Sequence, residues 1–216
     1  IGSFEAFLED LDLLLARIKD RERGLPVFIM GSGLGALIAG RFAFTRKPRI
    51  RGLILCCPIV DVSLSGKDRA LAQYGKGFLA HLNVTDQVRE QLLQPTFMGE
   101  LRDDELLFRG AVQVNTVREI IGATEAFKKD FPALDFAILT LAGAKGVGRL
   151  ERLHDSFLTY DKTFHSYEGD SQHLLLHVER DQIVGDILEW CELHSGPADV
   201  DEESDDEEDD WENDAL

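Results

Sequence analysis

Residues 27–37 read Val-Phe-Ile-Met-Gly-Ser-Gly-Leu-Gly-Ala-Leu, an apolar run delivered into a glycine-rich turn that opens onto a helix. This layout commits the chain to a strand, a tight turn and a helix in immediate succession, the unit from which parallel sheets are built. The same layout presents a nucleophile in the pattern G-x-S-x-G, where small residues two before and two after the serine permit a strained strand-to-helix turn. Gly31 and Gly35 satisfy that spacing around Gly33, which has no side chain with which to attack anything. Ser32 is the neighbouring candidate, but its own flanks at two residues are Met30 and Leu34, too bulky for so tight a turn.

The surrounding pattern extends this unit. Leu8, Leu11, Leu14, Leu15 and Ile18 fall at helical spacing, and residues 21–24 end that helix before Pro26 opens the strand. The strand at 27–30 is apolar throughout, as expected of one buried on both faces of a parallel sheet. A helix over 34–44 and a second buried strand over 52–57, stopped by Pro58, complete a right-handed crossover. Residues 61–131 interrupt the alternation with amphipathic stretches, notably 86–94 and 116–129, and read as an inserted helical cap. Alternation resumes with a strand at 136–142, a helix at 150–158, a strand at 163–167 and a helix at 181–193. The expectation is an α/β domain over 1–196 with about four parallel strands and a cap between the second and third.

The formal charge of −17 is a local property: residues 199–216 carry twelve Asp or Glu and no Lys or Arg, leaving the preceding 198 residues at −5. The segment 197–216 is therefore expected to be a disordered acidic tail. Its sharper reading is a docking segment for a basic protein partner, with Trp211 as anchor and Ser204 as a phosphorylation site among acids. No basic stripe is present, which argues against nucleic acid as a partner. Cys56, Cys57 and Cys191 follow neither metal-ligand nor disulfide spacing and read as reduced core residues. His154, His165 and His177 show no metal pattern, so neither a metal nor a cofactor is expected. No apolar run approaches the length of a membrane span and no charged-then-apolar leader opens the chain, which places it in the cytoplasm or another soluble, reducing compartment, compatible with peripheral membrane association.

Several dispersed motifs resemble those of the monoacylglycerol lipase-like α/β-hydrolases, most closely the plant lysophospholipase and caffeoylshikimate esterase branch. They are Gly24-Leu25-Pro26-Val27-Phe28 with the glycine-rich turn, the strand over 53–58 ending in proline, and Phe108-Arg109-Gly110 with Val114 and Glu119-Ile120. Asp161-Lys162-Thr163, Tyr167-Glu168-Gly169, Glu179-Arg180-Asp181 and the run from Asp186 to Trp190 follow in order. The resemblance implies the C-terminal part of an α/β-hydrolase fold, a parallel sheet flanked by helices with an inserted cap. It also implies earlier strands and a His-Gly loop upstream of Phe4. Without them the strand at 27–30 would expose an unpaired edge, so the chain is expected to be a fragment or to have that edge covered by a partner.

In that family a serine is activated by a histidine that an aspartate orients, and backbone amides hold the oxyanion. The resemblance places the nucleophile at Gly33, the acid near Gly146 in a loop with no carboxylate between 143 and 149, and the histidine at Gln172. All three triad positions are thus substituted, with Ser32 and His173 as displaced alternatives and the Leu34 amide as the remaining oxyanion donor. Phe78, Leu79 and Leu82 are candidates to line an acyl pocket under the cap or to be ordinary core. The sequence accordingly reads as a non-catalytic member of the family that binds a lipid, small ester or protein partner. The alternatives are an active serine hydrolase on monoacylglycerol, lysophospholipid or phenolic esters, and a degenerate product without a selected role.

Overall fold

A computed structural model describes residues 2–75, 77–84, 110–168, 174–176 and 179–196, with the backbone alone at Phe78 and Leu176. The predicted helix at 86–94, the Phe108-Arg109 motif, Gln172, His173, His177 and the acidic tail lie outside the described residues.

Four strands, β1 (Phe28–Ser32), β2 (Gly52–Cys56), β3 (Ala137–Gly143) and β4 (Lys162–Tyr167), form a parallel sheet in sequential order. The described helices are α1 (Glu5–Arg21), α2 (Leu34–Arg46), α3 (Gly66–Tyr74), α4 (Val114–Phe127), α5 (Val147–Asp155) and α6 (Arg180–Ser195). Short 3₁₀ turns occupy Gly77–His81 and Leu174–Leu176. The expected alternation of strands and helices is borne out, with boundaries displaced by a few residues. Helix α5 begins at Val147 because Gly146, at φ +91°, supplies the left-handed turn that starts it.

Alternation along the buried strands sends side chains to two distinct cores. Leu53, Leu55, Ile138 and Ala142 face a core shared with α1, α2, α4 and α5. Ile54, Cys56, Leu139 and Leu141 face a second core closed by Ile183, Ile187 and Trp190 of α6. Because α2 lies between sheet and outer helices, it is apolar on nearly every side, with Ala36, Leu37, Phe42, Ala43 and Phe44 all buried. Helix α4, read from sequence as part of the insertion, sends Ile120, Ala123 and Phe127 into this main core. The ring of Phe127 stacks on Phe44 at 5.2 Å, while Phe157 approaches Phe44 edge-on at 5.5 Å. Gly40 makes room for it: a Cβ there would lie 2.4 Å from the Phe127 ring. On the opposite core, a Cβ on Gly52 would lie 2.5 Å from the Trp190 ring, whose indole N–H donates to Thr163 at 3.3 Å.

One expectation needs correction. The first strand is not buried on both faces, since Met30 is 42% exposed and β1 is an edge of the sheet among the described residues. Beside it on α1, Leu8, Leu11 and Leu15 face the core while Leu14 and Ile18 are 51% and 38% exposed. Both exposures have one cause. A strand with a neighbour on one side only, and the helix beside it, find too little protein to cover every apolar residue, although local pattern alone reads as burial.

His154 of α5 is a polar group inside this apolar frame. Its Nδ1 lies 2.9 Å from Thr140 Oγ1, and the rings of Phe157 and Phe164 pack beside it at 5.9 and 5.4 Å. Burial, and secondarily the Lys162 charge, hold its pKa below the ordinary histidine value, with Asp155 opposing. The unfolded chain takes up a proton near pH 6.5 while the folded chain resists it, so this contribution to stability is present above that pH and lost as the pH falls toward the folded-state value. Urea midpoints should therefore drop between pH 7 and pH 5, with a shallower drop in His154→Gln. Phe127→Ala should cost about 3–5 kcal/mol at neutral pH; a loss below about 1 kcal/mol in the same titration would contradict its role in closing the main core.

Candidate functional site

The turn between β1 and α2 is built by its glycines. Gly31 ends so near the first turn of α2 that a Cβ would lie 2.2 Å from the carbonyl oxygen of Gly35, a contact with backbone that nothing flexible can relieve. Gly35 itself has open space where its Cβ would be, so the tightness of the motif resides at Gly31. Gly33 sits between them at φ 57°, ψ −115°, a left-handed conformation that side-chain-bearing residues adopt at a cost. Its N–H donates to Cys56 O at 2.9 Å, and its carbonyl accepts from Ile59 N at 3.2 Å and Leu37 N at 3.3 Å. The turn is thereby fastened to the end of β2. A side chain at position 33 would project into space with nothing within 4 Å. Leu34, the first residue of α2, has an amide N–H of the kind a helix leaves without an intrahelical acceptor, at the positive end of the helix dipole.

Ser32 is exposed. The parallel register sets it opposite Cys56. The neighbouring Cys57 and, less strongly, Ser32 side chains hold the Cys56 thiol below its ordinary pKa, with burial opposing them. Cys57 has φ +46°, unusual for a residue with a Cβ, and its N–H donates to Leu141 O at 2.8 Å. Both cysteines are buried, as the sequence led us to expect, yet their link to Ser32 was not foreseen. It follows from strand register, which no local motif encodes.

The loop from β3 to α5 holds Gly146 with open space at its absent Cβ. What surrounds it is basic. Lys145, Gly146 and Arg149 line a cavity of about 250 Å³ together with Cys57, Pro58 and Asp61. Asp61, which sequence reasoning passed over, accepts from Arg149 at 3.1 Å and from Lys128 at 3.3 Å. Its carboxylate is thus engaged by two cations from α5 and the end of α4. Among the described residues no histidine hydrogen-bonds Ser32, and no three metal-ligating side chains converge. Tyr167, where the 169–173 segment begins, donates to Asp186 of α6 at 2.8 Å, and burial with this carboxylate raises its pKa. Gln172 and His173 fall beyond that anchor and outside the described residues. No described helix is long and apolar enough to cross a membrane.

A family model of hydrolases described as serine aminopeptidase, S33, matches residues 1–181. The chain belongs to this family. It is an α/β hydrolase in fold, resembling the monoacylglycerol lipases and esterases. The caffeoylshikimate esterase of Arabidopsis thaliana is 24% identical over 192 residues, covering 82% of this chain and 58% of the plant protein. The chain therefore spans less than two thirds of that relative's length. The monoacylglycerol lipase of Paleococcus ferrophilus superposes with a TM-score of 0.74 at 21% identity, over 89% of this chain and 76% of the lipase. A thermostable carboxyl esterase from Bacillus coagulans, solved in complex with glycerol, follows with a TM-score of 0.70 at 16% identity, over 90% and 73% of the two chains. At these identities the structural likeness speaks to fold.

The hydrolase turn makes a paired prediction. Gly31→Ala should cost roughly 3 kcal/mol, the range of an overpacked site that cannot relax, whereas Gly35→Ala should be neutral or stabilise by up to about 1 kcal/mol through helix propensity. Urea unfolding of the two variants decides it; equal losses would contradict the assignment of the constraint to Gly31.

Proposed function

We propose that this chain is a hydrolase-fold protein that binds a lipid or small ester without cleaving it. The observation carrying this reading is Gly33 at the centre of an otherwise complete elbow, held at φ 57° with empty space where a reactive side chain would stand. The basic surroundings of Gly146 support it, because a carboxylate that orients a histidine is replaced there by Lys145 and Arg149.

A cavity of about 410 Å³ between α3 and α4 suits the binding role. It lies within the usual size range of small-ligand sites. Val62, Leu64, Ala72 and Ile121 provide apolar wall for an acyl or aryl group, and Arg69 provides donors for an ester or headgroup oxygen. The known chemistry of relatives suggests the ligand class: a monoacylglycerol lipase and a glycerol-bound esterase share the fold.

The chain should show no turnover of p-nitrophenyl esters or monoacylglycerol and no labelling by a fluorophosphonate probe. Gly33→Ser alone should not restore turnover, because the position at which the resemblance places the histidine is Gln172. Labelling of Ser32, or turnover abolished by Ser32→Ala, would replace this reading with an active serine hydrolase of displaced register. Calorimetric titration with a short-chain monoacylglycerol tests the binding role, which Ile121→Arg should abolish by filling the cavity.

A further inference from the structure

The end of the sheet opposite the elbow carries a concentration of positive charge that the hydrolase reading does not use. Lys19 and Arg23, at the close of α1, and Arg49 and Arg51, just ahead of β2, line one groove of about 290 Å³. Glu22 and Asp135 are its acidic lining residues, leaving the groove with a net positive charge. Among the described residues Arg23 pairs only weakly, with its helix neighbour Asp20 at 3.7 Å, both side chains being about four-fifths exposed. Lys19 and Arg49 stand close enough to repel: burial first, and the Arg49 charge second, hold the Lys19 ammonium below its ordinary pKa. Four cations against two carboxylates in one concave site make a net positive field that an anionic segment would relieve.

Helix α6 runs antiparallel to the strands and ends at the same place. Its last residues are fixed by His194, whose Nε2 lies 3.1 Å from Asp161, and by the Ser195 hydroxyl, which donates to Cys191 O at 2.7 Å. Gly196, at φ 56°, then turns the chain beside Arg51; a Cβ there would lie 3.9 Å from the guanidinium carbon. Asp199 follows three residues later, and 201–210 is a run of nine acids interrupted by Ser204 alone. Five residues of extended chain reach about 17 Å, so the acidic run starts within reach of the groove to which Arg51 itself belongs.

We propose that residues 199–210 of this chain dock on its own basic groove formed by Lys19, Arg23, Arg49 and Arg51. The occupant is the chain's own segment because the tether delivers it to the groove wall and its charge is opposite and in excess. Tethering also raises the effective concentration of this segment far above that of a free competitor. A basic protein seeking the acidic segment must then displace it from this groove.

The test is zero-length carbodiimide cross-linking of the full chain, read by peptide mass spectrometry, on an equal mixture of ¹⁵N-labelled and unlabelled protein. In about 10 mM salt, where charges act across about 30 Å, Lys19 should be joined to a carboxylate of 199–210 at least fivefold more often than the exposed Lys67 and Lys129. The link should join peptides of one isotope only. It should vanish in about 1 M salt, where screening shortens that reach to about 3 Å, and fall at least fivefold in the double variant Arg23→Glu, Arg49→Glu. Circular dichroism and urea midpoint serve as the control that this variant remains folded. Equal linkage to Lys19, Lys67 and Lys129 would overturn the proposal, as would linkage that survives in the folded variant. Mixed-isotope links would overturn it in favour of docking between two copies.

Discussion

The approach of Gly31 to the backbone of Gly35 is the constraint from which the rest of this molecule is arranged. With 2.2 Å between a notional Cβ and a carbonyl oxygen, no other residue at position 31 lets α2 leave β1 at this angle. Once that angle is set, α2 lies across the sheet and becomes the floor onto which α1, α4 and the phenylalanine cluster pack. The bonds from Gly33 to Cys56 and Ile59 then tie the same turn to β2, so that the end of the sheet is held as one piece. A turn whose geometry serves the whole core persists for reasons of packing, whatever happens to the atom it carries.

That distinction separates scaffold from chemistry. The elbow's demands on Gly31 are steric and local, while a nucleophile's demands reach to groups far away in sequence. Near the turn, the Asp61 carboxylate is engaged by Arg149 and Lys128. General base catalysis asks for something different, a base aimed at the reacting atom.

Much of this was legible in the sequence where the determinant is local. Apolar runs of four to six residues marked the strands, and the glycine spacing marked the turn, because backbone geometry at 31 and 33 depends on neighbours a few residues away. The burial of Met30 was misjudged because edge position is a property of the assembled sheet. The same limit hid the pairing of Ser32 with Cys56, created by the β1–β2 register, and the meeting of Asp61 with Arg149 across 88 positions. Helix α4 was placed correctly along the chain, yet only its contacts reveal that Phe127 belongs to the main core.

The fit of Phe127 over Gly40 carries a consequence for how this chain can change over generations. With 2.4 Å from an absent Cβ to the ring, any enlargement at 40 is obstructed while the phenylalanine remains. Shrinking the residue at 127 first opens a void in the main core, and therefore passes through a less stable ancestor. The two positions form a ratchet in which one order of substitution is barred and the other is taxed, so descendants of this sequence should keep the pair or exchange it almost at once.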